Sequence, residues 1–126
     1  MRLLLDTHVL VWAALDPSRL APRARDLIAD PDNDRLVSTA SAYEIEYKRE
    51  RDPALSRLPH DWTPLQDLLV FDWLPIDEDH AMAAGRLPRH HGDPWDRIIV
   101  AQALAERLAI VSADRALPLY GVRPEW

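Results

Sequence analysis

Five acidic side chains carry the chemistry this sequence could do: Asp6, Glu44, Asp96 and Asp114, with Asp93 three positions ahead of Asp96. Oxygen-only donors of this kind select hard divalent cations, and Mg²⁺ or Mn²⁺ accept a few carboxylates while keeping waters and substrate phosphate oxygens in the remaining positions. Two such ions about 4 Å apart activate a water and stabilise the leaving oxygen of an in-line phosphodiester displacement, with no side-chain nucleophile. Several carboxylates crowded together also repel one another and raise one another's pKa, which makes a cation their natural partner.

Each acid has a plainer reading. Asp6 can cap a helix that starts at Thr7. Ser41 and Glu44 fit a capping box, and Glu44 with Lys48 is a well-oriented i,i+4 pair. Asp93-Pro94-Trp95-Asp96 is a good helix start, with Asp93 as N-cap, Pro94 in the first turn and Asp96 at the positive end of the dipole. Asp114 suits a turn after an apolar strand. No one of these readings accounts for acids at four junctions, although caps do recur at such junctions in α/β folds, so the two accounts stand side by side.

The elements that must position these acids follow from apolar patterning. Short apolar runs at Arg2–Leu5, Leu36–Ser38, Trp73–Ile76 and Leu108–Ser112 read as buried strands. Helical spacing is read from Thr7 to the Asp16-Pro17 break, from Ala21 to about Asp30, from Thr39 or Ser41 to Glu50, and from Leu65 to about Phe71. Two more helices are read, one capped by Asp77 and one running on from Pro94 through Leu104. Tyr120-Gly121-Val122 reads as the start of a last edge strand, and the proline-containing stretch 51–64 as a loop with at most a turn of helix. Strands alternating with helices, without hairpin signals, predict an α/β fold with a mostly parallel sheet. Ligand sites in such sheets lie beyond the carboxyl ends of the strands, which is where the four acids fall.

Bulk properties narrow the class. At 126 residues the chain reads as a single domain over 1–126. A formal charge of −6 argues against coating nucleic acid by bulk electrostatics, but a carboxylate cluster loaded with cations is counted as negative only while empty. No apolar run approaches a membrane span, Arg2 is followed by only three leucines before Asp6, and cysteine is absent. These features predict a cytoplasmic protein without membrane association. His90 and His91, adjacent in a loop, can place at most one ring in the site. His8 reads as a rim or core polar residue, Arg86, Arg89 and Arg97 as solvated charges or phosphate contacts, and Trp95 and Tyr43 as rings beside the acids able to stack on a base.

Leu3-Leu4-Leu5-Asp6-Thr7-His8-Val9-Leu10, Ser41-Ala42-Tyr43-Glu44-Ile45, His91-Gly92-Asp93-Pro94-Trp95-Asp96-Arg97 and Leu108-Ala109-Ile110-Val111-Ser112-Ala113-Asp114, taken in order, resemble the PIN-domain family. The likeness is to the VapC-type toxins of type II toxin–antitoxin pairs. It implies a three-layer α/β/α sandwich and a Mg²⁺- or Mn²⁺-dependent endoribonuclease acting on RNA. It also implies a homodimer inhibited by a cognate VapB-type antitoxin. Carried over, it makes Asp6, Glu44, Asp96 and Asp114 the catalytic, metal-holding acids and Asp93 an accessory one, with Ser112, Thr7 and Arg97 in support. The sequence departs from relatives between Tyr47 and Pro64, where a regular helix is usual. Two alternatives carry different expectations: a non-catalytic PIN-like module that binds protein or RNA, and a receiver-like phosphoacceptor domain. The latter wants a lysine beyond a late strand, whereas the chain's single lysine is Lys48.

Overall fold

The computed structural model describes residues 1–90 and 92–126. Five strands form one parallel sheet: β1 (Arg2–Leu5), β2 (Asp34–Ser38), β3 (Asp72–Leu74), β4 (Ala109–Val111) and β5 (Pro124–Glu125), in the order β3-β2-β1-β4-β5. Leu5 is in register with Val37 on one side and Val111 on the other, so the carboxyl ends of the three central strands are level. Strand order reverses at β1, which opens a crevice between the ends of β1 and β4.

Alternation along β1 makes the layers. Leu3 and Leu5 enter one core with Val9, Leu10, Ile45 and Leu65, while Leu4 enters a second with Ile99, Val100 and Ile110. Among the described residues, six α-helices supply the outer layers: α1 (Thr7–Leu15), α2 (Pro22–Ala29), α3 (Thr39–Lys48), α4 (Thr63–Leu69), α5 (Glu78–Arg86) and α6 (Pro94–Glu106). α3 contacts both α1 and α6, and so bridges the elements that carry the outer acids. This is the expected α/β/α sandwich, with the sheet wholly parallel.

The ends of elements are set by local chemistry. Asp6 caps α1 by accepting from Thr7 N at 2.8 Å, and Asp93 Oδ1 caps α6 by accepting from Trp95 N and Asp96 N at 2.9 and 3.2 Å. Asp77 and His80 form a reciprocal capping box at the start of α5. Several expectations change: β3 ends at Leu74 rather than Ile76, and α4 spans Thr63–Leu69 rather than Leu65 to about Phe71. α3 is capped by Ser38, whose Oγ accepts from Ala40 N at 3.0 Å, so Ser41 and Glu44 are not a capping box. The last strand begins at Pro124 rather than near Tyr120, because Leu117–Tyr120 forms a 3-10 turn closed by Gly121 at φ 77°, a left-handed conformation that glycine takes without strain. A proline suits this edge strand, where no ladder donor is missed.

The 51–64 stretch contains one 3-10 turn, Leu55–Arg57, and the first two residues of α4, and up to there it is held by a buried arginine rather than by helical periodicity. Arg49 donates to the carbonyls of Leu55, Leu58 and Pro59 at 3.2, 2.6 and 2.8 Å and forks onto Glu46. Trp62 Nε1 donates to the same Glu46 carboxylate at 2.8 Å. One guanidinium thereby serves the carbonyls of Leu58 and Pro59 and adds a second donor to that of Leu55, which already accepts from Leu58 N at 3.1 Å.

Candidate metal centre

The acids meet at the carboxyl rim of the sheet. Asp6 leaves β1 in extended conformation, with its N–H still paired to Val111 O at 3.1 Å. Its buried carboxylate is fixed from two sides: Oδ1 accepts from Thr7 N, and Oδ2 accepts from Ser112 Oγ at 2.7 Å. Ser112 Oγ also accepts from Asp114 N at 3.0 Å, which folds the loop after β4 toward Asp6. Asp114 Oδ1 accepts from Ala116 N at 2.9 Å, the turn role expected of it. His8 Nε2 accepts from Ala113 N at 3.1 Å, so its proton is on Nδ1, which faces Asp6 Oδ2 at 3.6 Å. His8 is thus a rim residue that holds the β4 loop.

Glu44 enters from α3 and is buried. Lys48, one turn on, places Nζ 2.5 Å from Glu44 Oε2, while Glu44 Oε1 is buried without a hydrogen-bond partner among the described residues. An orphaned buried carboxylate oxygen costs the desolvation of a charged acceptor, about 1–3 kcal/mol or more. A hydroxyl pair, Thr7 Oγ1 and Ser41 Oγ at 2.8 Å, ties α1 to α3 beside it.

Asp96 is the third residue of α6, half-buried against the other acids. Burial first, and then the charges of Asp6, Asp93, Glu44 and Asp114 in decreasing order, push its carboxyl up to about 7. The four other acids singled out from the sequence therefore all bear on Asp96. Asp6, Glu44, Asp93 and Asp96 line a cleft of about 460 Å³, whose walls include Lys48, Arg19, Arg57 and the Asp52–Leu55 turn. Lys48 is itself pushed up, by the Glu44 hydrogen bond before all else and further by Asp93 and Asp96. The donor set is oxygen-only, crowded and partly unsatisfied, which fits a hard divalent cation.

Arg97 is placed differently from a phosphate contact. Its guanidinium donates to Ala84, Gly85, Leu87 and Pro88 carbonyls at 2.8 to 3.5 Å, and so pins the end of α5 and the following loop to α6. His90 packs edge-on to Tyr120 at 5.0 Å, and His91 lies outside the described residues. Sequence reasoning missed the Arg49 clamp, whose partners show no local pattern. It read Lys48 only as a helix-surface pair, although the i,i+4 spacing from Glu44 was the signal that puts it in the cleft.

A second group, Asp77, His80 and Glu106, brings three ligand atoms within 4.8 Å of one another and could in composition hold an ion. Its geometry is accounted for without one. His80 Nδ1 accepts from Asp77 N at 3.2 Å, which leaves the proton on Nε2 to donate to Glu106 Oε1 at 2.9 Å. Glu106 ends α6 twelve residues after Pro94, roughly 18 Å from the cleft end of that helix. This group fastens α5 to α6.

Comparison with known proteins agrees with the geometry. The PIN domain family matches residues 3–122. Ribonuclease VapC22 of Mycobacterium tuberculosis is 28% identical over 125 residues, covering 90% of this chain and 88% of that protein. Among solved structures, DNA-bound VapBC from Salmonella typhimurium matches with a TM-score of 0.72 at 18% identity, over 99% of this chain and 97% of that one. VapBC2 from Rickettsia felis, bound to a DNA fragment from its promoter, matches with 0.70 at 16% identity over 99% and 98%. These two speak to the fold. From its family match, its parallel sandwich and its acids gathered at the strand ends, the chain is a member of the PIN-domain family.

Proposed function

We propose that this chain is a divalent-metal-dependent endoribonuclease that hydrolyses RNA phosphodiester bonds and serves as the toxin of a toxin–antitoxin pair. The observation that carries this is that Asp6, Glu44, Asp93 and Asp96 line one cleft, with the charge of Asp114 also bearing on Asp96 and with Glu44 Oε1 lacking a hydrogen-bond partner among the described residues. The likeness to a ribonuclease over most of the chain supports the same reading.

Asp6, Glu44, Asp96 and Asp114 would hold the metal, with Asp93 accessory and already committed through Oδ1 to the cap of α6. Mg²⁺ or Mn²⁺ suits the set, and when bound would supply Lewis-acid activation of water and neutralisation of charge on the phosphate. The protein's own work is positioning. Ser112 and Thr7 N fix both oxygens of Asp6, so its carboxylate needs no reorganisation on loading. Glu44 keeps Oε1 uncommitted to any hydrogen bond among the described residues while Lys48 retains Oε2. Lys48 also sets one cation beside the acids, where it can meet a non-bridging phosphate oxygen.

RNA cleavage with Mg²⁺ or Mn²⁺ is the test, comparing wild type with Asp6→Asn and Asp96→Asn. Loss in both variants is expected, and equal activity in all three refutes the assignment. The partners follow from the same reading: a VapB-type antitoxin, a second copy of the chain and a cytoplasmic setting with the RNA. An antitoxin tail that inserts an Arg or Lys among these acids would displace the metal. Unchanged Mn²⁺ stoichiometry in the complex would count against that mode.

A further inference from the structure

An aromatic face borders the acid cleft. Tyr43 and Tyr47 lie one turn apart on α3, 61% and 52% exposed, with rings nearly parallel at 14° and centroids 6.0 Å apart. Trp95, from the first turn of α6, closes the group at 5.9 Å from Tyr43 and 5.7 Å from Tyr47. Cations edge it: Lys48 Nζ lies 5.1 Å from the Trp95 ring centre, and the Arg51 guanidinium 5.6 Å from that of Tyr47.

Position matters as much as composition. Tyr43 directly precedes Glu44, and Trp95 directly precedes Asp96, so the rings and the carboxylates issue from the same two helix turns. Neither tyrosine belongs to either hydrophobic core, and both stay largely exposed. Their surroundings are charged, with Glu46, Lys48, Glu50 and Arg51 on the same stretch, which disfavours the dry centre of a protein–protein interface. Every nucleobase offers a π-face to such a surface, and the two edge cations match the phosphates on either side of a stacked base.

We propose that Tyr43, Tyr47 and Trp95 form a stacking platform for an unpaired base of a single-stranded RNA. Lys48 and Arg51 contact its flanking phosphates, and the strand continues into the acid cleft. This rests on the ribonuclease reading and adds to it the residues that grip the strand beside the acids, through a contact tolerant of base identity.

The experiment compares binding of a fluorescent, random-sequence single-stranded oligoribonucleotide with that of a ribose-phosphate oligomer of equal length lacking bases, in chelator so that no cleavage occurs. Wild type is expected to bind the base-containing strand about tenfold more tightly, and Tyr43→Ala or Tyr47→Ala to erase most of that difference. Tyr47→Phe retains it, because the ring and not the hydroxyl does the stacking. Equal binding of the two strands by wild type overturns the proposal, as does wild-type RNA binding by both alanine variants. If sedimentation shows the alanine variants changing oligomeric state, with RNA affinity following that change, the face is covered by a second copy and the proposal falls. Base-dependent binding that survives these tests, combined with no cleavage in Mg²⁺ or Mn²⁺, upholds the platform and refutes the nuclease reading alone.

Discussion

Replacing Asp96 by Asn should stabilise the metal-free protein at pH 8 and leave it unchanged near pH 4. The Asp96 carboxyl rises from 3.8 to about 7 in the folded chain, through burial and then through four neighbouring acids. A carboxyl whose folded pKa is raised favours folding while it is protonated. That contribution is present below the unfolded value and is lost as pH climbs from about 4 to about 7. A rise of about 3 units corresponds to about 4 kcal/mol at full weight. Because the group is only half-buried and water screens its neighbours, about 1–2 kcal/mol is the realistic share. For a domain of this length that is a shift in Tm of roughly 3–10 °C. Asparagine preserves shape and removes the charge, so thermal melts of both proteins in chelator, from pH 4 to 8, isolate the effect. Adding Mn²⁺ at pH 8 should reverse the order, since wild type gains binding energy that the variant has lost. A difference in Tm that does not change with pH, or a less stable Asn variant at pH 8 in chelator, would refute the electrostatic argument.

Two other predictions concern the residues that hold the site. Ser112→Ala removes the donor to Asp6 Oδ2 and the acceptor of Asp114 N, and should cost about 1–3 kcal/mol, read as a lower urea midpoint with an unchanged slope. Arg49→Met strands the carbonyls of Leu58 and Pro59, and should cost about 2–3 kcal/mol and speed trypsin cleavage after Arg51 and Arg57 severalfold. Unchanged cleavage there would mean that the clamp does not hold this wall of the cleft.

Local chemistry explains which parts of the molecule were legible. The caps at Asp6, Asp77 and Asp93 were readable because a cap bonds within three residues of itself. Strands Arg2–Leu5 and Ala109–Val111 were readable because an apolar run buried on both faces needs no partner to be recognised. Gly121 shows the limit: its left-handed turn displaced the last strand to Pro124, although the apolar Tyr120 and Val122 beside it looked strand-like. The capping-box pattern at Ser41 and Glu44 was a valid local motif, overridden because Ser38 lies where β2 enters α3 and Ser41 is drawn to Thr7.

Chain order and periodicity alone put acids at the ends of strands and the starts of helices. What those acids do to one another depends on how the elements pack. Strand order β2-β1-β4 brings residues 6 and 112 within 2.7 Å, across a separation no local pattern records. The approach of α3 to α6 turns Glu44 and Asp96 from two separate helix residues into neighbours whose charges oppose ionisation. A carboxylate's chemistry is set by its solvation and by charges within a few ångströms, and those are properties of the packed chain.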